Sequence, residues 1–585
     1  MAIKLAEEKR TLSMLMRAIG KFVYADGKAD ISEVKMLIGM AEPFANTDAD
    51  IRLFVNLLVD IAEDGVVDAD ESRELAEAIK RLVAKFADAD AVYDARTLGI
   101  PRMGVLGVQH LFAMFGATVL VPILTGLSIS STLLFAGLGT LIFHFLTKRK
   151  VPAFLGSSFA FLPGYFALTA MKGGVWEGLT KTQLLGYASA GVVVAGLVYL
   201  VVSAIVKSCG VKRVMRFFPP IVTGPIVIGI GLVLSPIAVG SASTCWPVAI
   251  AGIVAVLLAS CFGKGMIRII PILVGVLASY LTAVILGNCC GVSGAAVDFS
   301  KVAAAPWFGL PFSMDQTVFA IFGNAGNNMG RIASAIVIVV PLCAATLMEH
   351  VGDISAIGST VNRNFFADPG LHRTMLGDGL ATSFAALFGA PANTTYGENT
   401  GVLSLSKVYD PRVIRIAAVI AILLSFCPKF AAVIATLPGA TVGGVSFVLY
   451  GMISAVGVRN LVEHQVDFSK ARNMLICAVT IVCALGISFS EAKGISFTVG
   501  GISFVLYGMI SAIGVRNLVE NRVDLTNSRN LIVVAVIMVC GLGFTNGISF
   551  SIGSVSITLT ALSIAAIVGI VTNAILPGKD YEFEA

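Results

Sequence analysis

Uncharged runs of apolar residues follow one another along most of the chain, separated by short polar stretches. Sixteen such runs can be delimited, several of them short or rich in glycine. They fall near residues 104–125, 130–147, 151–171, 182–206, 217–239, 246–262, 267–287, 332–358, 376–390, 391–406, 411–427, 430–456, 472–489, 495–515, 528–548 and 555–577. A helix needs about 20 apolar residues to cross a bilayer, so the pattern predicts an all-α polytopic membrane protein.

Composition supports this class. Hydrophobic residues make up 56% of the 585 residues and charged residues only 13%, whereas soluble domains are about 25% charged. The first 30 residues carry acids and bases throughout, so we expect no cleavable signal peptide.

Charge divides the chain into two parts. Residues 1–95 hold 12 basic and 19 acidic residues, and the remainder holds 29 and 17. We therefore predict an acidic, soluble helical module at residues 1–96 and a membrane transporter domain at residues 97–585. The module contains the pattern DGxxDxxE twice, at Asp26–Glu33 and Asp64–Glu71. We interpret each copy as a glycine turn followed by a helix cap. A calcium-binding loop is the alternative, but the glycine and the glutamate that such a loop requires are missing from their positions.

Basic loops predict the orientation. Of the 29 basic residues after residue 95, 23 lie on one side of the predicted spans. Basic loops face the cytoplasm, so we expect a multi-pass protein of the inner membrane with both termini inside.

Two segments interrupt the helical pattern at matching places in the two halves of the membrane part. They are Leu155–Gly164 in the third run and Gly389–Gly401, which covers most of the tenth. Irregular backbone persists at membrane depth only where it is buried in protein or lines a cavity. Paired interruptions are typical of inverted-repeat transporters with a site near the midplane. Packing of small residues between helices is an alternative, but it does not explain the proline residues or Glu398.

Glu349 and Glu398 each end an uncharged run, one from Ile332 and the other from Gly379. A carboxylate at the bilayer centre costs about 2.5–3.5 kcal/mol even on the most lenient scale, so such residues usually face a bundle interior and serve function. A glutamate at a helix end near the interface is the alternative. Two such residues, one of them in an interrupted segment, favour a binding site.

Five motifs occur in order along the membrane part: Gln109–Ala117, Gly156–Phe161, Glu349–Asp353, Asp368–Arg373 and Asn393–Asn399. Together they resemble the bacterial uracil permeases of the nucleobase–ascorbate transporter family, over about residues 104–577. The resemblance implies fourteen spans in two inverted sets of seven, divided into a core and a gate domain, with short extended segments in spans 3 and 10. It also implies proton-coupled nucleobase uptake.

Carried over position by position, the resemblance implies four substrate-binding residues. The carboxylates of Glu349 and Glu398 and the backbone N–H groups of Phe159 and Gly397 would bind the base. Uracil presents N–H donors beside C=O acceptors, so a carboxylate next to backbone donors suits it. The ring of Phe159 could also cover the base.

Three features bear on whether the substrate is uracil or a purine of the xanthine or urate type, and they do not agree. Asp353 stands where the best-known uracil permeases place a histidine, and Asp378 also resembles the xanthine branch. Glu398-Asn399 is the uracil-type pair, and we give it more weight because Glu398 would contact the substrate.

Candidates for proton coupling are His110, Glu349, Asp353 and Asp378. Asp353 follows Glu349 by one helical turn on the same face, and two neighbouring carboxylates suit a proton carrier. The alternatives are a helix-end position for Asp353 and a buried, satisfied histidine for His110.

A tandem repeat departs from the family pattern. Residues 441–480 match residues 498–537 at a period of 57, with 27 of 40 positions identical. This duplicates spans 12 and 13, which belong to the gate in the resemblance, and it gives sixteen spans instead of fourteen.

Other chemistry is not indicated. The sequence has no HExxH pair and no Walker A motif, so we expect no enzyme activity, no cofactor, no metal and no nucleic-acid partner. The expected partners are a nucleobase, protons and membrane lipid, and a homodimer is compatible with the resemblance. A non-transporting nucleobase sensor is the alternative from another class, supported only by the module and the repeat.

Overall fold

The computed structural model describes residues 31–42, 49–63, 71, 74–75, 78, 91–211, 213, 219–323, 328–493, 512–521, 523–544, 548–552 and 555–576. In the N-terminal part, helices α1 (Ile31–Ala41) and α2 (Ala49–Glu63) pack against each other. Both Asp-Gly turns of the repeated pattern, at residues 26–30 and 64–70, lie outside the described residues.

Helices dominate the described membrane part. Its first half contains α3 (Ile100–Thr125), α4 (Ile129–Leu146), β1 (Leu155–Ser157), α5 (Leu162–Thr169), α6 (Lys181–Cys209), α7 (Pro220–Ala242), α8 (Trp246–Phe262), α9 (Met266–Ile269), α10 (Pro271–Ala283) and α11 (Ser300–Ala304). Its second half contains α12 (Asn328–Val339), α13 (Cys343–Val361), α14 (Leu371–Leu387), β2 (Asn393–Thr395), α15 (Gly397–Ser406), α16 (Pro411–Ser425), α17 (Pro428–Ala435), α18 (Gly439–Glu463), α19 (Ala471–Lys493), α20 (Ser528–Gly543), β3 (Ile548–Ile552), β4 (Val555–Leu559) and α21 (Ala561–Ile575). Short 3-10 or π turns lie at Ala95–Leu98, Gly174–Trp176, Val284–Cys289, Met314–Gln316, Val318–Gly323, Val340–Leu342 and Phe366–Gly370.

The prediction of a polytopic helical membrane protein is confirmed. Among the described residues, seven helices are long and apolar enough to cross a membrane, or eight if α16 and α17, bent by 88°, form one span. Several predicted runs are not single helices. The runs at 151–171 and 391–406 each form a short strand followed by a short helix, as the interrupted pattern predicts.

The long helices form two groups. One contains α3, α4, α6, α14 and α16, with α6 against α14 and α4 against α16; the other contains α7, α8, α10, α18, α20 and α21, with its largest contact between α7 and α18. Glycine permits that contact, because a Cβ on Gly231 would lie 2.2 Å from the carbonyl oxygen of Tyr450. Small residues of this kind let membrane helices approach closely.

The two strands at the interruptions pair with each other. β1 and β2 are antiparallel, with Gly156 opposite Thr394. Beyond the strands, Ser158 N donates to Ala392 O at 2.8 Å and Tyr396 N donates to Phe154 O at 3.0 Å. The two halves of the membrane part are therefore joined by backbone hydrogen bonds where both helical patterns break.

The tandem repeat places its two copies in different surroundings. From the first copy, Val448 and Leu449 of α18 share a buried cluster with Ile532 and Val536 of α20, which belongs to the second copy. A Cβ on Gly451 would lie 2.4 Å from Ala535 O, so the two helices are in direct contact. In contrast, α19 clusters with the helical residues 512–520. The first helix of copy one therefore pairs with the second helix of copy two.

A hairpin that was not predicted from the sequence lies near the C-terminus. β3 and β4 pair antiparallel, with Phe550 opposite Ile557. The hairpin occupies the end of the run at 528–548 and the start of the run at 555–577, so α20 ends at Gly543 and α21 begins at Ala561. Alternation of serine or threonine with apolar residues in both strands is a two-residue period typical of β-structure.

The segment before α3 is bound to the membrane part. Val92 forms a parallel bridge with Val408, and Ala95 N donates to Asp410 Oδ2 at 2.7 Å. Arg412 Nη1 lies 2.8 Å from both Asp94 Oδ1 and Asp410 Oδ2. A hydrogen bond from the Arg96 side chain lowers the pKa of Asp94 to about 2, so this acid remains ionised at physiological pH.

The pairing of α18 with α20 predicts that one repeat period is dispensable. Deletion of residues 464–520 removes 57 residues and joins Glu463 to Asn521, which restores a single copy of the repeat. Because α18 and α20 are already in contact, we expect a monodisperse protein whose thermal unfolding temperature stays close to that of the parent.

An equal-length deletion of residues 521–577 is the control, since it removes α20 and α21 and should abolish folding. If the 464–520 variant aggregates as this control does, the inserted helices are required for the packing of the second helix group.

Candidate functional site

Glu349 and Asp353 lie one turn apart on α13, well inside the helix. Both side chains are half-buried. The hydroxyl of Thr395, the last residue of β2, donates to Asp353 Oδ2 at 2.7 Å. Asp353 is therefore an interior residue held by the interrupted segment, and its alternative interpretation as a helix-end residue is wrong. No sequence pattern predicts Thr395 as the partner of Asp353, because the two residues lie 42 positions apart on different elements.

Gly397 and Glu398 form the first turn of α15, directly after β2. Gly397 is exposed, and a Cβ placed on it would meet no described atom within 4 Å. Glu398 is half-buried. The first N–H groups of a helix have no partner within the helix and favour negative charge nearby. Open space therefore lies next to a helix N-terminus that carries a carboxylate in its first turn.

Phe159 lies between β1 and α5 and is almost fully buried, with 9% of its surface exposed. Its ring meets the ring of Tyr450 on α18 edge to face, with centroids 6.3 Å apart. Phe159 and Tyr396 belong to the same buried cluster. Phe159 thus connects the strand pair of one helix group with a helix of the other group.

A hydroxyl network fixes the strand pair against α3. Tyr396 Oη donates to Ser157 O at 2.9 Å, and Ser157 Oγ donates to Thr118 O at 2.7 Å. A Cβ on Gly156 would lie 2.4 Å from the Tyr396 ring, so only glycine fits there. The residues preceding Gly397 and Phe159 are therefore rigidly held.

His110 on α3 contacts Asn399, the neighbour of Glu398. The Asn399 amide nitrogen lies 3.2 Å from His110 Nδ1 and 3.0 Å from His110 O. With that amide assigned as donor, Nδ1 is the acceptor and Nε2 carries the ring proton. Nε2 is buried and has no hydrogen-bond partner among the described residues. His110 is thus only half satisfied, which weakens its interpretation as a purely structural histidine.

Asp378 on α14 lies deeper than the other acids and is fully buried, together with His350 of α13. His350 Nδ1 lies 2.9 Å from Asp378 Oδ2, although not in line with an ideal hydrogen bond. Thr374 Oγ1 donates to Leu371 O, so it accepts from His350 Nε2 at 3.0 Å. With Nε2 protonated, one more proton must lie between Nδ1 and the carboxyl group for the contact to be attractive. His350 was not predicted from the sequence as the partner of Asp378.

The four acids form one electrostatic group, since the charges of Asp353, Asp378 and Glu398 all act on Glu349. Asp353 is bonded to Thr395 and Asp378 faces His350. By contrast, Glu349 and Glu398 form no side-chain hydrogen bond with another residue in the described ranges. The structure thus brings together all the acids named in the sequence analysis and leaves Glu349 and Glu398 available to bind a ligand.

Comparisons with known proteins identify the family of this chain. The sequence profile of the Permease family, which covers xanthine and uracil permeases, matches residues 102–493 and 495–550. A protein named uracil permease from Bacillus caldolyticus is 42% identical over 406 residues, covering 68% of this chain and 87% of the relative. The putative pyrimidine permease RutG of Escherichia coli strain K12 is 38% identical over 446 residues, covering 75% of this chain and 96% of the relative.

Among solved structures, the transmembrane domain of the cyanobacterial bicarbonate transporter BicA has 15% sequence identity and a TM-score of 0.47, with 67% of this chain and 97% of that chain covered. The family match spans most of the chain, and the relatives are matched over most of their own length. This chain is a multi-pass membrane protein that belongs to the permease family of xanthine and uracil transporters.

Proposed function

We propose that this protein is a proton-coupled uracil importer of the inner membrane, with both termini in the cytoplasm. The observation that carries the proposal is the pair of available carboxylates, Glu349 on α13 and Glu398 in the first turn of α15, together with the open space beside Gly397. Both are half-buried on elements at the interrupted middle of the membrane part. Its similarity to a relative named uracil permease supports the choice of substrate.

Uracil complements this arrangement. Its ring N–H groups are donors that a carboxylate accepts, and its carbonyl groups are acceptors for backbone N–H groups. We assign the carboxylates of Glu349 and Glu398 to the ring N–H groups and the backbone N–H groups of Phe159 and Gly397 to the carbonyls. A site built from such hydrogen bonds rejects analogues that leave its polar groups unpaired.

A xanthine or urate type of purine is the second candidate because Asp353 and Asp378 resemble that branch. In this structure Asp353 Oδ2 accepts a hydrogen bond from Thr395, and Asp378 is fully buried next to His350. The uracil-type pair Glu398-Asn399 therefore keeps uracil as the first candidate.

The cluster of four acids, Glu349, Asp353, Asp378 and Glu398, provides a reason for proton coupling. Four carboxylates that interact with one another at membrane depth cannot all be ionised cheaply. A proton shared within the group lowers this repulsion and can accompany the substrate. His110, Glu349, Asp353 and Asp378 are the proposed carriers, with Asp378 acting together with His350.

The first test is transport. Purified protein in proteoliposomes should accumulate labelled uracil when a proton gradient is imposed inward, and accumulation should collapse when an ionophore dissipates the gradient. Unlabelled uracil should compete with the label far better than xanthine does, because Glu398-Asn399 is the uracil-type pair.

Three outcomes would change the proposal. Xanthine competing as well as uracil would assign the purine branch. Uptake that is indifferent to the gradient would remove proton coupling, and uracil binding without any uptake would favour the nucleobase sensor.

The second test concerns Glu349. Glu349→Gln keeps the shape of the side chain but replaces an acceptor oxygen with a donor. Hydrogen bonds to charged groups contribute about 1.5–3 kcal/mol, so uracil affinity should fall roughly ten- to a hundredfold, as measured by equilibrium binding.

Glu177→Gln is the matched control, because Glu177 is exposed in a loop. This variant should bind uracil with the same affinity as the parent. Binding by Glu349→Gln within twofold of the parent would remove Glu349 from the site.

The third test compares two glycines. Gly397→Ala adds a methyl group to open space, so it should leave the unfolding temperature unchanged while reducing uracil affinity. Gly156→Ala forces a methyl group against the Tyr396 ring and Thr118 Oγ1, so it should lower the unfolding temperature as well as affinity. Unchanged uracil affinity in a well-folded Gly397→Ala variant would show that the open space beside Gly397 is not where the base binds.

A further inference from the structure

A cavity of about 370 Å³ lies between α3 and α16, and none of the four acids of the candidate site lines it. It is lined by Met103 of α3 and by one face of α16: Arg412, Arg415, Ile416, Val419 and Ile420. These α16 residues recur at intervals of three and four and therefore share one face of the helix. The cavity is thus basic at one end and apolar along the rest.

Arg415 has a polar atom without a partner at the basic end. Its Nη1 atom is buried and makes no hydrogen bond to any residue that the structure describes. Buried polar groups are normally paired, and an unpaired one calls for an explanation. An acceptor from outside the protein would supply the missing hydrogen bond.

The charge around Arg415 favours an anion. Asp410 is the acid whose charge acts on it, but the oxygens of Asp410 already accept hydrogen bonds from Ala95 N, Arg412 N and Arg412 Nη1. Arg149 and Arg412 add further positive charge near Arg415.

The position of Arg412 and Arg415 within α16 also favours binding of an anion. Arg412 and Arg415 lie in the first two turns of the helix, where the helix dipole disfavours cations and attracts anions. A bound anion would relieve both the repulsion between the arginines and their conflict with the dipole.

The apolar part of the cavity continues into an uncovered surface. Val105 and Phe112 of α3 and Val419 and Leu423 of α16 are all at least 45% exposed. Such a surface at membrane depth faces lipid chains. The ligand must therefore join an anionic group to a long apolar tail.

We propose that this cavity is a binding site for an anionic glycerophospholipid. The phosphate accepts hydrogen bonds from Arg415, including its Nη1 atom, and an acyl chain lies along Ile416, Val419 and Ile420. Basic pockets between membrane helices bind anionic head groups in this way. The cavity lies at the end of the helices that carries the basic loop Lys148–Lys150, so the lipid comes from the leaflet on that side.

The test measures the thermal unfolding of the purified full-length chain in mild detergent with three added probes. Dioleoylphosphatidylglycerol should raise the unfolding temperature in a saturable manner. Dioleoylphosphatidylcholine, which has the same chains but no net charge, and inorganic phosphate, which has charge but no chains, should raise it little at the same concentrations.

Two variants and a control locate the effect. Arg415→Gln should need at least tenfold more phosphatidylglycerol for half of the rise, and Val419→Trp should lose the response by filling the acyl groove while both arginines remain. Arg472→Gln is the matched control, because Arg472 is an exposed arginine on α19 and its loss should leave the response unchanged.

Three results would overturn the proposal. They are an equal response to the zwitterionic lipid, a full response to inorganic phosphate alone, or an unchanged phosphatidylglycerol response in either cavity variant. If Arg415→Gln fails to fold, Val419→Trp decides the question by itself.

Discussion

The antiparallel pairing of β1 with β2 is the constraint on which the rest of the site depends. Backbone N–H and C=O groups cannot remain unpaired at membrane depth, so two interrupted segments are stable only if each satisfies the other. The bonds from Ser158 N to Ala392 O and from Tyr396 N to Phe154 O extend the pairing to the residues that precede α5 and α15. The strand pair therefore fixes Phe159, which follows β1, and Gly397 and Glu398, which begin α15. These residues are the backbone donors and one of the carboxylates that the proposed substrate needs.

The four acids around the β1–β2 pair differ in their protein partners. Asp353 is bonded to Thr395 of β2, and Asp378 faces His350 in a fully buried pair. Each of these contacts joins α13 to another element, so the helix that carries Glu349 is fixed by the strand pair on one side and by α14 on the other. A carboxylate at this depth costs about 2.5–3.5 kcal/mol even on the most lenient scale. The partners of Asp353 and Asp378 offset that free-energy cost. Glu349 and Glu398 have no such partner among the described residues, so the cost is offset only when they bind a ligand or a proton. This difference separates acids that shape the site from acids that bind.

Local chemistry made part of this arrangement predictable. Proline and glycine are concentrated in Leu155–Gly164 and Gly389–Gly401 and favour a broken helix there, so the extended segments could be predicted without knowledge of the fold. The register of Gly156 opposite Thr394, and the partners Thr395 and His350, depend on contacts between distant segments that no local pattern encodes. The repeat shows the same limit. Two copies with 27 of 40 identical positions take different surroundings, because α20 of the second copy packs against α18 whereas α19 of the first copy packs against residues 512–520. In the β3–β4 hairpin, the two-residue alternation was present but was outweighed by overall hydrophobicity.

The segment that precedes α3 connects the N-terminal part to the helices of the site. Tyr93 Oη donates to Val361 O at the end of α13, and Val92 exchanges backbone hydrogen bonds with Lys407 and Tyr409, just after α15. Arg363 lies 4.8 Å from the centre of the Tyr93 ring. α13 and α15 carry Glu349 and Glu398, so one short segment touches the far ends of both helices that supply the available carboxylates. The segment around Val92 and Tyr93 therefore packs as part of the membrane domain. Removing the residues before it without disturbing these contacts requires a new start before Val92.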